Sequence, residues 1–199
     1  MKSQLLAKSV TALIMFFAAT PTYATTLTFD EMRSPNCDWK IPNPYMGFNW
    51  NGWRAADVTE HVGLPTSGPN LIFSFDTSSI FTTSGANINF IGAYLCGSYK
   101  DGLHVEVIGK RDGITIYDST VTTIAHTASW FEFNFFGIDE LVFTGFGGIP
   151  VGPYDSDLNG VSLDNFTYEN FDPIPEPSTI LLLALGLLGL AIRKRQRQN

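Results

Sequence analysis

The feature that most limits the fold of this chain is a strict alternation of apolar and polar residues in its middle. In residues 103–107 the odd-numbered positions are Leu, Val and Val, and the even-numbered positions are His and Glu. In residues 130–135 the odd-numbered positions are all Phe, whereas the even-numbered positions are Trp, Glu and Asn. A period of two places one set of side chains on a core and the other set toward solvent. Both segments are therefore predicted to be half-buried β-strands.

Further short segments of β-type sequence are separated by turn sequences. These segments are 27–29, 71–75, 88–95, 114–117, 140–146 and 161–168. The turns include Asp101-Gly102, Gly147-Gly148 and, between two alternating runs, Asp112-Gly113. An Asp-Gly pair in that position is typical of a two-residue β-hairpin.

Between residues 25 and 172 no amphipathic helical pattern is found. Many short strands rich in Phe, Ile, Val and Thr predict an all-β fold, a single antiparallel β-sandwich of jelly-roll-like type over residues 25–172. Residues 42–69 hold Pro, Gly and Asn between aromatic residues, and a long loop with a short strand or helical turn is expected there.

The N-terminus has the order of a secretory signal peptide. Lys2 and Lys8 lie on the N-terminal side of an apolar stretch over residues 10–19, which Pro21 and then the small residue Ala24 follow. We predict a signal peptide over residues 1–24, with cleavage after Ala24. The apolar stretch is far shorter than the roughly 20 residues of a membrane span, which argues against a permanent anchor.

The C-terminus changes composition again after residue 172. Three prolines within residues 173–178 form an extended spacer, and an apolar stretch over residues 179–192 is followed by a basic tail over residues 193–199. As a helix the apolar stretch would span roughly 21 Å, short of the ~30 Å hydrocarbon core. Snorkelling of the basic cluster Arg193, Lys194 and Arg195 can make up the difference. We predict a transmembrane helix at 179–192, with the tail cytoplasmic and the domain outside.

This order of a Pro-Glu-Pro sequence, an apolar helix and a basic end resembles the PEP-CTERM sorting signal of exopolysaccharide-making Gram-negative bacteria. The resemblance implies recognition by a membrane-embedded exosortase at Pro175, Glu176 and Pro177, transit through the envelope membrane, and a final location at the cell surface or in the extracellular matrix. More loosely, the opening sequence at 27–31 and the closing sequence at 163–166 resemble a recurring cargo type of this family, which implies a sandwich in a biofilm setting.

The charge of the chain is strongly segregated. Residues 25–178 hold all 19 acidic residues and only six basic ones, a net charge of -13. Nucleic acid and anionic membrane surfaces repel such a domain, so nucleic acid is not expected as a partner. Divalent cations are permitted, although a solvated acidic surface also accounts for the composition.

One acidic segment resembles the first half of a calcium loop. Asp155 and Asp157 are followed by Asn and Gly, but the position where a bidentate Glu belongs is Phe166. This excludes an ordinary EF-hand. A sandwich-type calcium site would add Asp164 on the last strand and Asp30 on the first, whereas an Asp/Asn/Gly turn is the alternative. No other cofactor is expected.

Two cysteines, Cys37 and Cys96, lie in the exported part of the chain. In an oxidising compartment such a pair predicts one disulfide, and two free buried thiols are the alternative. No Cys or His spacing typical of a metal or catalytic site is present.

Aromatic residues are concentrated in the loop-rich segment, among them Tyr45, Trp50 and Trp53. If these rings are exposed, they form a platform that stacks on sugars. If they are buried, they close the core. The sequence therefore predicts a non-enzymatic surface or matrix protein, with two alternatives. One is a carbohydrate-binding module, and the other is a polysaccharide-cleaving enzyme using Glu106 and Glu132.

Overall fold

In a computed structural model of the chain, the structure describes residues 23–32, 39–57, 66–75, 77–152 and 157–171. Every regular element within these ranges is a β-strand. The strands are β1 (Thr25–Leu27), β2 (Trp39–Lys40), β3 (Phe48–Asn51), β4 (Arg54–Asp57), β5 (Asn70–Ser74), β6 (Ser78–Thr82), β7 (Ile88–Gly97), β8 (Lys100–Asp101), β9 (Leu103–Arg111), β10 (Ile114–Thr123), β11 (Ser129–Ile138), β12 (Glu140–Phe146), β13 (Ile149–Pro150) and β14 (Val161–Asn170). The predicted all-β class is confirmed.

The strands form two main antiparallel sheets. The seven-stranded sheet has the order β11-β7-β14-β5-β4-β2, with β1 also paired to β14. The five-stranded sheet has the order β10-β9-β12-β6-β3, and β8 and β13 form a separate two-stranded ribbon. Consequently β2 is an edge of the larger sheet and β3 is an edge of the smaller one.

The main apolar core lies between the two sheets, and a smaller cluster of Ala56, Leu71, Phe73 and Tyr99 is separate from it. The alternation in 103–107 holds, because Leu103, Val105 and Val107 are buried on the inner face of β9. Across the interface, Phe90 of β7 lies 6.4 Å from Phe143 of β12, measured between ring centroids. Contacts of this kind between the inner faces define an antiparallel β-sandwich.

The β9–β10 hairpin is the predicted one. Asp112 and Gly113 have φ angles of 50° and 76°, and the flanking residues Arg111 and Ile114 are paired. Two successive positive φ values are the requirement of a type I′ turn, which Asp-Gly meets at low cost. Segment 42–69, expected to be mostly loop, contributes two short strands, β3 and β4.

The long strand β14 gives the sandwich two distinguishable ends. At its start, Val161 is paired with Ser74 of β5 and Gly97 of β7. We call this the upper end. At its finish, Tyr168 lies opposite Thr25 of β1, so β1 and the finish of β14 lie at the same end of the sandwich, which we call the lower end.

The terminal segments predicted from the sequence lie largely outside the described residues. This holds for residues 1–22 of the predicted signal peptide and for the spacer, helix and tail over 173–199. Among the described residues, no helix is long and apolar enough to cross a membrane.

Candidate functional site

A cleft of about 420 Å³ is lined by residues from the edges of both sheets. Its walls come from β2, from the β3–β4 connection around Gly52, and from residues 75 and 77 after β5. Because β3 and β4 belong to different sheets, the chain crosses the edge of the sandwich here and leaves space beside the crossing. The volume is within the range of small-molecule sites.

Two basic residues line this cleft. Lys40 of β2 and Arg54 of β4 are direct cross-strand partners in the seven-stranded sheet. Directly opposed residues of an antiparallel pair project from the same face, with Cβ atoms about 5 Å apart. Both ionisable side chains among the described lining residues are therefore positive and adjacent. Asp76 lies next to this stretch in the sequence but is outside the described residues.

An aromatic ring supports the arginine. The Arg54 guanidinium carbon lies 5.5 Å from the ring centroid of Phe75, and Phe75 packs edge-on against Phe73 at 5.1 Å between centroids. This arrangement is a cation–π contact, which restrains the guanidinium at the cleft wall.

Three neutral polar residues complete the lining, namely Asn43, Asn51 and Thr77. The Asn43 side-chain oxygen accepts a hydrogen bond from the Trp50 backbone N–H at 2.7 Å. This bond fixes the loop before β3 against the strand, so the cleft has one wall held by the fold. The site combines two positive groups, amide and hydroxyl groups, and an apolar floor. The floor consists of Ile41, Trp50, Trp53 and Phe75.

The proposed aromatic platform is not exposed, and this part of the prediction is wrong. Trp50 and Trp53 are 2% and 1% exposed, and Trp50 donates its indole N–H to the Tyr45 carbonyl at 3.0 Å. Tyr45 is half-buried and donates its hydroxyl to Glu31 at 2.9 Å. Trp50 belongs to the core because β3 directs alternate side chains inward, and Trp53 packs edge-on against Phe143 at 5.4 Å between ring centroids.

The predicted calcium ligands do not assemble among the described residues. Asp164 is buried on β14, where its carboxylate accepts hydrogen bonds from the backbone N–H groups of Thr66 at 2.7 Å and Ser67 at 3.0 Å. Burial raises the pKa of Asp164, and these donors oppose that shift. Groups that donate hydrogen occupy the oxygens a cation would need.

The other predicted calcium ligands give no support either. Asp157 is exposed, Asp155 is outside the described residues, and one carboxylate oxygen of Asp30 is buried without a hydrogen-bond partner. Within the described ranges, no three His, Cys, Asp or Glu residues are close enough to hold a metal ion.

Cys96 is a free, buried thiol in the structure, and the disulfide with Cys37 stays a prediction. Cys96 lies in β7 opposite Ser162 of β14, with its side chain enclosed by the sheet. Burial raises the pKa of Cys96 to about 12. A thiol in this state is neutral at physiological pH and a poor nucleophile. Cys37 itself lies outside the described residues.

The two glutamates considered for glycoside cleavage are on opposite outer faces of the sandwich. Glu106 lies between inward-facing residues of β9 in the smaller sheet, and Glu132 lies between Phe131 and Phe133 of β11 in the larger one. A glycosidase needs its two carboxyl groups within about 5–10 Å on either side of one bond. This pair cannot act together.

Sequence reasoning missed the residues of the cleft. Lys40, Arg54 and Phe75 are far apart in the chain and belong to no motif. Only the register of β2, β4 and β5 brings them together. The one sequence feature that could have drawn attention to Lys40 and Arg54 is the scarcity of bases in the acidic domain.

Among the solved structures that resemble this chain, three are described below. The K2 cleaved adhesin domain of Lys-gingipain is similar over 73% of this chain and 99% of that chain, at 16% identity and a TM-score of 0.45. TmCBM61, solved with β-1,4-galactotriose, is similar over 64% and 90%, at 8% identity and a TM-score of 0.40. CBM51 from Clostridium perfringens GH95, solved with methyl-galactose, is similar over 72% and 99%, at 11% identity and a TM-score of 0.35.

No curated protein matches the sequence significantly. One family model does match, that of the PEP-CTERM protein-sorting motif, over residues 173–196. This range contains Pro175, Glu176 and Pro177 and the basic cluster Arg193, Lys194 and Arg195, all outside the described residues. The chain therefore carries a PEP-CTERM protein-sorting motif at its C-terminus.

Proposed function

We propose that this chain is a non-enzymatic protein of the cell surface or extracellular matrix, exported and delivered there through an exosortase, and that its domain associates with polysaccharide. The observation that carries the proposal is the sorting motif at 173–196, which begins two residues after the last described residue, Phe171. Such a motif directs an exported protein to exosortase processing, with the envelope membrane as a stage in transit.

The cleft supports a binding role for the domain. It offers two bases, three neutral polar side chains and an apolar floor within about 420 Å³. Sugars combine apolar ring faces with many hydroxyl groups, so a lining of this kind suits them. The carbohydrate-binding alternative from the sequence is thus kept, with the cleft in place of the buried tryptophans.

The separation of the two glutamates favours a binding role over the polysaccharide-cleaving alternative. Glu106 and Glu132 lie on opposite outer faces of the sandwich, too far apart to flank one glycosidic bond. Activity assays on polysaccharides test this directly, because turnover by the purified protein would contradict it.

The intact mass of the protein recovered from cells and from the medium tests the sorting part. The proposal expects a mature chain that begins at Thr25 and ends near Pro177 outside the cell. A matched variant, Glu176→Ala, should retain residues 193–199 and stay in the membrane fraction. Release of Glu176→Ala at the same rate and mass as the parent would contradict exosortase processing.

Retention of the protein on exopolysaccharide from the producing cells tests the binding part. We expect the protein to sediment with the polymer and to be released by soluble fragments of it. A protein that stays in the supernatant at every polymer concentration would contradict polysaccharide association.

A further inference from the structure

We propose that the outer face of the seven-stranded sheet binds a neutral polysaccharide, with one sugar ring stacked on the indole of Trp130. This inference rests on the proposed association with polysaccharide. It assigns a second site, apart from the cleft, and it names the chemical class of the polymer. The site is centred on Trp130 of β11 and Gly92 of β7, which both lie within the described ranges.

The first argument is the exposure of an aromatic pair. The alternation of β11 directs Phe131 and Phe133 toward the core, whereas Trp130 faces solvent and is 39% exposed. Its direct cross-strand partner is Tyr94 of β7. The two rings meet edge-on, with their centroids 5.4 Å apart and their planes at 63°. Two aromatic side chains therefore lie together on the outer face, where packing of the core does not require them.

The second argument is the direction of the indole. A side chain in a strand ordinarily stands roughly perpendicular to the sheet. The Trp130 ring instead reaches over β7, because a Cβ atom placed on Gly92 would lie only 2.8 Å from its Cζ2 atom. Gly92 is paired with Glu132 and not with Trp130, so the ring extends diagonally along the sheet. The missing side chain at position 92 leaves room for it. An indole that lies along a sheet presents a broad apolar face, which suits the apolar face of a sugar ring.

The third argument is the set of polar groups beside the ring. Gly92 lies between its direct partners Glu132 of β11 and Thr167 of β14, and directly paired residues project from the same face of a sheet. The Asn134 side-chain amide donates to the Glu132 carboxylate at 2.7 Å, and the hydroxyl oxygens of Thr26 and Thr167 are 3.0 Å apart. A carboxylate has several acceptor positions, so Glu132 can also accept hydrogen bonds from sugar hydroxyl groups.

The charge of the site favours a neutral ligand. Glu132 is exposed, and it is the charged member of the group formed by Tyr94, Trp130, Asn134 and Thr167. Residues 25–178 carry a net charge of -13. Both the local and the overall charge repel an anionic polymer. The geometry and the charge together indicate a polymer of uncharged sugars.

The test is calorimetric titration of the full chain, purified in a detergent that has no sugar head group. The ligands are hexasaccharides of β-1,4-glucose, β-1,3-glucose, β-1,4-mannose and β-1,4-galactose. The tightest of them is then oxidised at C6 to its uronate form, which is the matched acidic ligand. We expect at least one neutral hexasaccharide to bind, and its uronate form to bind about tenfold more weakly.

Variants of two residues test the site itself. Trp130→Ala should weaken binding of the neutral hexasaccharide by about tenfold or more. Trp130→Phe should bind with intermediate affinity, because the smaller ring keeps part of the stacking surface. Glu132→Gln should reduce the discrimination against the uronate form by roughly threefold, the effect of one exposed charge.

Phe146→Ala is the matched control, because Phe146 is an aromatic residue of similar exposure, 45%, on β12 of the other sheet. Its ring also lies beside a second ring, that of His104, at 5.3 Å between centroids. This variant should leave binding unchanged, and thermal melting should show that all variants are folded.

Three results would each overturn the inference: no binding of any neutral hexasaccharide, equal affinity for the neutral and uronate forms, or equal losses in Trp130→Ala and Phe146→Ala. A dimer of the parent that Trp130→Ala dissociates would also overturn it, in favour of contact between two copies. If the parent is retained on native exopolysaccharide while these tests fail, only the Trp130 site falls. If retention fails too, the proposed function falls with it.

Discussion

The carboxylate of Asp164 accepts a hydrogen bond from the backbone N–H of Thr66 at 2.7 Å, across 98 positions of sequence. The Thr66 hydroxyl also donates to it at 3.0 Å, as does the Ser67 backbone N–H. One buried side chain thus fixes the segment that leads into β5 against the last strand.

Replacing Asp164 with Asn should destabilise the fold. An amide keeps one acceptor oxygen and turns its NH₂ toward groups that also donate, so at least one buried N–H loses its partner. We expect a loss of about 2 kcal/mol in the free energy of unfolding, measured by urea denaturation. Asp157→Asn is the control, because Asp157 is exposed. Equal midpoints for the two variants would show that the Asp164 contacts contribute nothing.

The same carboxyl group gives the stability a pH dependence. Burial raises the pKa of Asp164 in the folded state, so the folded protein holds this proton more tightly than the unfolded chain does. The stabilisation that this tighter proton binding gives the folded state is fully present below the unfolded pKa of about 4. It is lost as the pH rises through the folded pKa. The difference in unfolding free energy between the parent and Asp164→Asn should therefore shrink from acid toward neutral pH. A difference that grows over that range would mean that the N–H donors outweigh burial.

The buried tryptophan should matter for stability more than for binding. Trp50 packs edge-on against Phe29 at 5.2 Å and Phe166 at 5.6 Å, measured between ring centroids. Trp50→Ala should cost about 3–5 kcal/mol, as for other large core aromatics, and calorimetry measures this as a lower melting temperature. Trp130→Ala is the control, because Trp130 is 39% exposed and its removal should cost much less. Similar losses for both variants would contradict the core position of Trp50.

The strands and the main hairpin could be predicted because their signals are local. Alternation over 103–107 specifies which side of β9 is buried without reference to any other strand, and the Asp112-Gly113 pair satisfies its turn by its own φ preferences. The ends of the strands were harder to predict from the sequence. β10 runs to Thr123, well beyond the predicted residue 117, because pairing with β9 continues through exposed polar residues.

The candidate site could not be predicted because its geometry is long-range. The aromatic residues of 45–53 suit a core and a sugar platform equally, and only the packing of β3 decides between them. In the same way, Lys40 and Arg54 become neighbours through strand register, which their spacing in the sequence does not reveal. Asp164 was assigned a cation as partner, whereas the fold surrounds it with N–H and O–H donors.

The state of Cys96 yields the last prediction. Because the thiol is buried and its pKa is raised to about 12, almost no thiolate exists at pH 8 and reagents have no access. Iodoacetamide should leave Cys96 unmodified in the native protein and modify it in urea, as mass spectrometry of the Cys37→Ser variant can show for Cys96 alone.

Adding Leu163→Ala to that variant is an informative comparison, since Leu163 lies opposite Leu95, next to Cys96. Loosened packing there should speed modification, because local opening of β7 and β14 exposes the thiol. If native Cys96 in the Cys37→Ser variant reacts as fast as a free thiol in solution, it is not enclosed by the sheet. If Cys96 in the parent resists reagents even in urea until a reductant is added, the disulfide with Cys37 forms after all.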